Sequence, residues 1–124
     1  MSPVLRAAAL GRQVDADWGA LGDCTTAVIE MANAAGLARL TEGERDVRRA
    51  STYGVGQLIV EALDAGFTEF IIAIGGSATN DGGAGMVQAM GGSLTDRDGH
   101  ELARGGIALA DLAKIDVSGL DSRM

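Results

Sequence analysis

Hydrophobic and polar residues alternate along the chain with two different periods, and the clearest run predicts an α-helix. Five apolar residues recur at spacings of three and four and would line one helix face: Val55, Leu58, Ile59, Ala62 and Leu63. Ser51 or Thr52 can cap the beginning of this helix. Gly66 stands where a left-handed residue commonly ends one. The pattern therefore predicts an amphipathic helix between these two signals.

Shorter apolar runs on either side of the helix predict strands. Phe67–Ile74 is continuously apolar apart from two residues, which is typical of a strand buried on both faces. Arg12–Leu21 alternates apolar and polar residues, and Thr25–Met31 is rich in residues that favour strands. Because the turn signal Gly22-Asp23 separates these last two runs, we expect them to form a hairpin.

The second half of the chain continues the mixture of helices and strands. Ala84–Met90 predicts a helix that ends at Gly91-Gly92, and Asp98-Gly99 predicts a hairpin turn between two short strands. A short amphipathic helix at 107–115, then a strand and turn at 115–120, complete the chain. Earlier, residues 32–40 suggest a short helix ending near Gly36, and 41–49 a charged, solvated stretch. This order predicts an α/β fold: a mixed sheet with flanking helices and inserted β-hairpins.

Composition narrows the class of protein. The 124 residues are about one domain, 47% hydrophobic but only 3% aromatic, so aliphatic residues and methionine must build the core. Glycine is unusually frequent, with 19 residues, yet it is neither periodic nor accompanied by proline. Collagen-like and low-complexity proteins are therefore excluded, and the glycines are expected in turns and in close backbone approaches.

Charge and cysteine content restrict the partners and the compartment. A net charge of −7 argues against nucleic acid and anionic membranes as partners, and no apolar run approaches the length of a membrane span. The single cysteine, Cys24, excludes an internal disulfide and indicates a cytoplasmic protein. We expect a structural role for Cys24, because the only histidine, His100, is far away in sequence. His100 itself is expected to be an exposed loop residue.

One stretch could carry chemistry, the segment GGSATNDGGAG at 75–85, directly after the apolar run. A strand, a glycine-rich turn and a helix can direct unpaired N–H groups and the positive end of a helix dipole at an anion. Ser77 and Thr79 add hydroxyl donors, and Asn80 and Asp81 add oxygens suited to Mg²⁺. Asp81 could also accept a proton from a substrate hydroxyl. The spacing fits neither common nucleotide-binding fingerprint, so a tight structural turn is the alternative.

These residue types define a candidate site with two groups of residues. Asp81 and Asn80 are the candidate catalytic residues, and Asp81 is the candidate metal ligand. The candidates for binding substrate or phosphate are Gly75, Gly76, Ser77, Thr79, Gly82 and Gly83. A second glycine-containing stretch, TYGVG at 52–56, could face an anion at a helix start. Close helix packing that demands glycine explains it equally well.

Four segments together resemble one family. The strings TTAVIEMA (25–32), STYGVGQLI (51–59), IGGSATNDGGAGM (74–86) and DLAKIDVSGLD (111–121) are similar to the bacterial glycerate kinase family, which includes glycerate 2-kinases. The resemblance runs from about Leu10 to the C-terminus and leaves residues 1–9 unmatched. It implies transfer of the γ-phosphoryl group of ATP to a hydroxyl of D-glycerate, with Mg²⁺, giving a phosphoglycerate. It also implies that 10–124 is part of one lobe of a two-domain α/β fold.

Because family members are much longer, the resemblance predicts an internal fragment. Two alternatives stay open beside a glycerate kinase: a catalytically silent anion-binding or structural lobe from a truncated gene, and one half of a split enzyme. In either case apolar faces would lack their partners, which favours association with a missing half or with a second copy.

Overall fold

The computed structural model describes residues 4–7, 13–32, 48–76 and 79–124. The described strands are β1 (Val4–Ala7), β2 (Gln13–Ala16), β3 (Gly19–Ala20), β4 (Thr26–Glu30), β5 (Glu69–Ala73), β6 (Ser93–Thr95) and β7 (Lys114–Asp116). The described helices are α1 (Tyr53–Asp64), α2 (Ala84–Ala89) and a 3-10 helix (Gly106–Asp111). Residues 33–40 of the short helix predicted at 32–40, and most of the charged stretch at 41–49, lie outside the described residues.

The strands form three small sheets, and the largest is mixed as predicted. In that sheet β4 lies between β3, which is antiparallel to it, and β5, which is parallel to it. The pairs β1–β2 and β6–β7 are antiparallel ribbons. Because the helices lie between these strands in sequence and α1 packs near β4, the α/β class is confirmed.

The predicted first hairpin forms, but its first strand is divided. Only Gly19–Ala20 pairs with β4, whereas Gln13–Ala16 pairs with β1. The Asp23 carboxylate closes the turn by accepting the N–H groups of Thr25 and Thr26, each at 2.9 Å. These hydrogen bonds, that of Thr25 first, lower the pKa of Asp23 to about 2. Cys24 is exposed in the same turn.

Helix α1 follows the sequence prediction closely. All five residues of its predicted apolar face are at most 4% exposed, and they form the centre of the core. Gly66, one residue past the C-cap, has a φ of +94°, the left-handed conformation that ends many helices. Trp18 and Phe67 add an edge-to-face contact with 4.9 Å between ring centroids.

The prediction that β5 is buried on both faces is wrong. Phe70 and Ile72 pack against the core, but Ile71 is 50% exposed and Ile74, just after the strand, is 70% exposed. Within the described residues β5 is the edge of its sheet and only one of its faces is covered. A continuous apolar run does not reveal which of its faces other elements cover.

The C-terminal region confirms the predicted turn but not its strand pairing. The N–H of Asp96 donates to the carbonyl of His100, and Gly99 has a φ of +82°, as a turn at Asp98-Gly99 requires. The strand predicted after this turn is reduced to a single bridge between Thr95 and Glu101, and β6 pairs with β7 instead. The predicted helix at 107–115 is the 3-10 helix, and β7 follows it.

The C-terminus is attached to α1 and α2. The Arg123 guanidinium lies 2.8 Å from a carboxylate oxygen of Asp64, at the end of α1, and 2.7 Å from one of Asp121. The Arg123 hydrogen bonds lower the pKa of Asp121 to about 2. The N–H of Asp121 also donates to the carbonyl of Met90, directly after α2. No helix within the described residues is long and apolar enough to cross a membrane.

Candidate functional site

Asp81 is the most buried ionisable side chain of the candidate site, with 1% of its surface exposed. It lies in the glycine-rich loop between β5 and α2, where its carboxylate reaches the beginning of α1. Oδ2 accepts the N–H of Thr52 at 2.9 Å and the N–H of Gly85 at 3.1 Å. Oδ1 accepts the N–H of Gly83 at 3.1 Å. The hydroxyl of Thr52 donates to the same carboxylate, 3.0 Å from Oδ2 and 3.1 Å from Oδ1.

Thr52 connects the two helices through the same hydroxyl. While its hydrogen points to Asp81, its oxygen accepts the N–H of Met86, in the first turn of α2, at 2.9 Å. Thr52 is the N-cap of α1, as predicted, but its hydroxyl makes no capping bond to that helix. Ser51 accepts the N–H of Tyr53 at 3.1 Å instead. We call the set Thr52, Asp81, Gly83, Gly85 and Met86 the clamp.

The N–H groups at the beginning of α2 are therefore bound inside the protein. Gly83 and Gly85 donate to the Asp81 carboxylate, Ala84 to the Asp81 carbonyl at 3.0 Å, and Met86 to Thr52. The positive end of α2 faces a buried carboxylate, which satisfies the donors and complements the dipole. The sequence left open whether such donors face an external anion or belong to a tight structural turn, and each of these four has an internal acceptor.

Glycines let α1 and α2 approach each other closely. A Cβ on Gly56 would lie 2.5 Å from the carbonyl oxygen of Met86 and 2.6 Å from the Cβ of Ala89. A Cβ on Gly85 would lie 2.7 Å from the backbone nitrogen of Tyr53 and would collide with the hydroxyl oxygen of Ser51. Of the two readings of the stretch at 52–56, Gly56 therefore supports the close helix packing.

Most described residues of the loop outside the clamp are exposed. We call Gly75, Gly76, Thr79, Asn80 and Gly82 the outer loop; Thr79 is half-buried and the other four are exposed. Gly76 and Gly82 have φ angles of +74° and +63°, which favour glycine. No acceptor among the described residues binds the N–H of Gly76, Asn80 or Gly82. Ser77, predicted as a phosphate-binding residue, lies outside the described residues.

The hydrogen bonds of Asp81 take up the acceptor positions of its carboxylate. An ionised carboxylate offers about four lone-pair positions. Four donors occupy them here: the N–H and O–H of Thr52 and the N–H groups of Gly83 and Gly85. Asn80, in contrast, is exposed.

Sequence reasoning missed the partnership between Thr52 and Asp81, which are 29 residues apart. It identified Thr52 only as a cap, and no local pattern marks a hydroxyl that bridges two helices. It also missed the stacking of the Arg104 guanidinium on the Tyr53 ring, 3.5 Å from the ring centroid. His100 is exposed as predicted, and it lies beside Asp96, whose pKa the N–H of His100 lowers.

Comparison with known proteins identifies relatives over nearly the whole chain. The model of the "Glycerate kinase family" matches residues 3–124. A glycerate kinase of Bacillus subtilis is 57% identical over 93% of this chain, and a glycerate 2-kinase of Escherichia coli is 53% identical over 93%. The chain spans 30% of the length of each of these two relatives.

A solved structure has the same fold. The crystal structure assigned to glycerate kinase 2 of Salmonella typhimurium LT2 superimposes on 98% of this chain with a TM-score of 0.95 and 52% sequence identity. This chain covers 33% of that one. The architecture described above is therefore that of one part of a larger protein of this kind.

Proposed function

The chain belongs to the glycerate kinase family, and we propose that it is the section of an ATP-dependent glycerate kinase that carries a ligand-binding loop. The reaction transfers the γ-phosphoryl group of ATP to a hydroxyl of D-glycerate, so that ADP leaves and the hydroxyl loses its proton. The observation that carries this proposal is the outer loop, whose glycines and Asn80 are exposed between β5 and α2 in a chain 57% identical to a glycerate kinase.

We assign ligand binding to the outer loop together with Ser77. Both substrates are anions, and phosphoryl transfer depends on positioning and on donors directed at phosphate or carboxylate oxygens. The N–H groups of Gly76, Asn80 and Gly82 have no acceptor among the described residues, so they are open to such oxygens. In this assignment Asn80 contacts the reacting groups, Thr79 and Ser77 donate hydroxyls, and Gly75 lets the backbone approach. Gly83 shapes the turn through its φ of +85°.

Mg²⁺ is part of the proposal as the cation that accompanies ATP, where it neutralises polyphosphate charge. No described residue is assigned as its ligand, because the lone pairs of Asp81 are occupied. A cytoplasmic location is also proposed, supported by the single free cysteine, Cys24.

Exposed hydrophobic residues favour the view that the active form contains more protein than this section. Six large apolar side chains among the described residues are at least half exposed: Ile71, Ile74, Ile107, Ile115, Val117 and Met124. Where such residues adjoin one another in a contiguous patch, they mark surfaces that pack against other protein. A split enzyme or a silent lobe shares this feature, and only an activity measurement separates them from a kinase.

The test is ATP- and Mg²⁺-dependent phosphorylation of D-glycerate, measured for the purified 124-residue chain and for a full-length protein that carries the same loop. We expect turnover in the full-length protein and little or none in the isolated chain, because several groups must surround the transferred phosphoryl. Absence of turnover in the full-length protein contradicts the proposed function. Ordinary kinase turnover by the isolated chain contradicts the requirement for more protein.

A further inference from the structure

The clamp gives Asp81 a role different from the two that its residue type suggests. We infer that Asp81 is a positioning residue: it fixes the outer loop for ligand binding by holding the first turns of α1 and α2 together, and it does not itself touch the ligand. The inference rests on the proposed function, because the ligand of the outer loop is the anion proposed there.

The first argument is the saturation of the carboxylate. Thr52 contributes two donors and Gly83 and Gly85 one each, which matches the number of lone-pair positions on an ionised carboxylate. A metal ion or a substrate hydroxyl would have to displace one of these donors. The displaced N–H would then remain unpaired in an interior where Asp81 is only 1% exposed.

The second argument is the position of Asp81 in the chain. Asn80 and Gly82 are its direct neighbours, and both are exposed members of the outer loop. Since the Asp81 side chain is attached to α1 through Thr52 and to α2 through Gly83 and Gly85, the backbone on either side of it has little freedom to move. The clamp thereby sets where Asn80 and Gly82 direct their N–H groups.

The third argument is the glycine packing around the clamp. A Cβ on Gly85 would lie 3.1 Å from Oδ2 of Asp81 as well as colliding with Ser51. Glycine at this position lets the carboxylate, the beginning of α1 and the first turn of α2 meet at hydrogen-bonding distance. Such packing serves a fixed internal contact, whereas a ligand-binding carboxylate needs open space beside it.

The experiment compares two nearly isosteric substitutions on opposite sides of the clamp. Asp81→Asn removes the charge and turns one acceptor into a donor, and Thr52→Val removes the bridging hydroxyl. Thr52→Ser, which keeps the hydroxyl, is the matched control. Each variant and the double variant is made in a full-length glycerate kinase that carries the same segments. The turnover number kcat, KM for D-glycerate and for ATP, and the Mg²⁺ concentration for half-maximal rate are then measured well below the unfolding temperature.

If Asp81 positions the loop, Thr52→Val reproduces the defect of Asp81→Asn although it leaves the carboxylate in place. We expect each to lower kcat/KM about 10- to 100-fold, with KM rising at least threefold. The kcat/KM of the double variant should lie within threefold of that of the less active single variant, because both substitutions remove the same contact. The kcat/KM of Thr52→Ser should lie within threefold of the parent value. The Mg²⁺ concentration for half-maximal rate should stay within twofold of the parent value in every variant. A role confined to stability would leave kcat and KM of the folded variants unchanged.

Two outcomes overturn the inference. One is a loss of 100-fold or more in Asp81→Asn while Thr52→Val stays within threefold of the parent, which is the result for a base or a metal ligand. The other is a shift of Mg²⁺ half-saturation beyond tenfold in Asp81→Asn alone. If Asp81→Asn does not fold, Thr52→Val and Thr52→Ser carry the test: the inference fails if Thr52→Val has parental kcat and KM.

A parallel measurement on the 124-residue chain separates this inference from the proposed function. Amide hydrogen exchange of Gly83, Gly85 and Met86 should be at least tenfold faster in Thr52→Val than in Thr52→Ser. That result does not depend on any enzymatic activity. If the full-length parent does not phosphorylate D-glycerate, the proposed function fails while the exchange data still decide whether the clamp exists.

Discussion

The clamp and the outer loop have similar residue types in adjacent positions, yet their surroundings are opposite. In the clamp, Gly85 has no room for a Cβ and Asp81 is 1% exposed. In the outer loop, no heavy atom of the described residues lies within 4 Å of such a Cβ on Gly75 or Gly82, and Asn80 is exposed. Glycine therefore serves close packing in one region and backbone freedom in the other. The comparison separates the residues that hold the loop from those that can meet a ligand.

The largest expected effect is that of Gly85→Ala on stability. The added Cβ meets backbone and short side-chain atoms of Ser51, Tyr53 and Asp81, so α1 and α2 must separate. We expect a loss of about 3 kcal/mol or more in the free energy of unfolding, measured by urea denaturation of this chain.

Gly75→Ala is the matched control for that substitution, because it also replaces a glycine but no atom of the described part of the chain lies within 4 Å of the added Cβ. It should change stability by no more than about 0.5 kcal/mol. Equal losses at Gly85 and Gly75 would show that the two regions do not differ in packing.

The next largest effect is expected for Thr52→Val. The substitution leaves the buried Asp81 carboxylate with one donor fewer and the N–H of Met86 without its acceptor. We expect a loss of about 2 kcal/mol, because each unsatisfied buried group costs about 1–3 kcal/mol and part of this is relieved by small shifts. The measurement is thermal unfolding of Thr52→Val, with Thr52→Ser as the control. If the serine variant is as unstable as the valine variant, the methyl group of Thr52 contributes the stability and the hydroxyl does not.

A smaller effect is expected for Gly82→Ala in the outer loop. Gly82 has a φ of +63°, and no described residue lies within 4 Å of an added Cβ, so we expect the penalty to come from backbone conformation. We expect a loss of about 1 kcal/mol. Denaturation of Gly82→Ala and Gly75→Ala side by side isolates the conformational part, and a neutral Gly82→Ala would contradict the left-handed turn.

The smallest effect on stability, combined with a clear effect on activity, is expected for Asn80→Ala. The side chain is exposed, so the free energy of unfolding should change by no more than about 0.5 kcal/mol. In a full-length enzyme with this loop, kcat/KM should fall about tenfold or more if Asn80 binds an anionic reacting group. Parental kcat/KM in Asn80→Ala would remove Asn80 from the proposed site and weaken the contrast between the two regions.

The sequence determined the features that depend on neighbouring residues. The apolar face of α1, its end at Gly66, the turns at Gly22-Asp23 and Asp98-Gly99, and the α/β class all follow from local period and turn chemistry. The likeness of the loop and its flanking segments to one family was also visible, and the comparisons confirm it over residues 3–124.

Only the tertiary structure decided the features that depend on residues distant in the chain. Ile71 belongs to a run that looks fully buried, yet it is half exposed, because no described element covers that face of β5. Gly83 was a candidate for binding substrate or phosphate, but the Asp81 side chain turns inward toward Thr52 and accepts the N–H of Gly83. A sequence pattern shows that a residue is polar or small; which partner reaches it depends on how the helices pack.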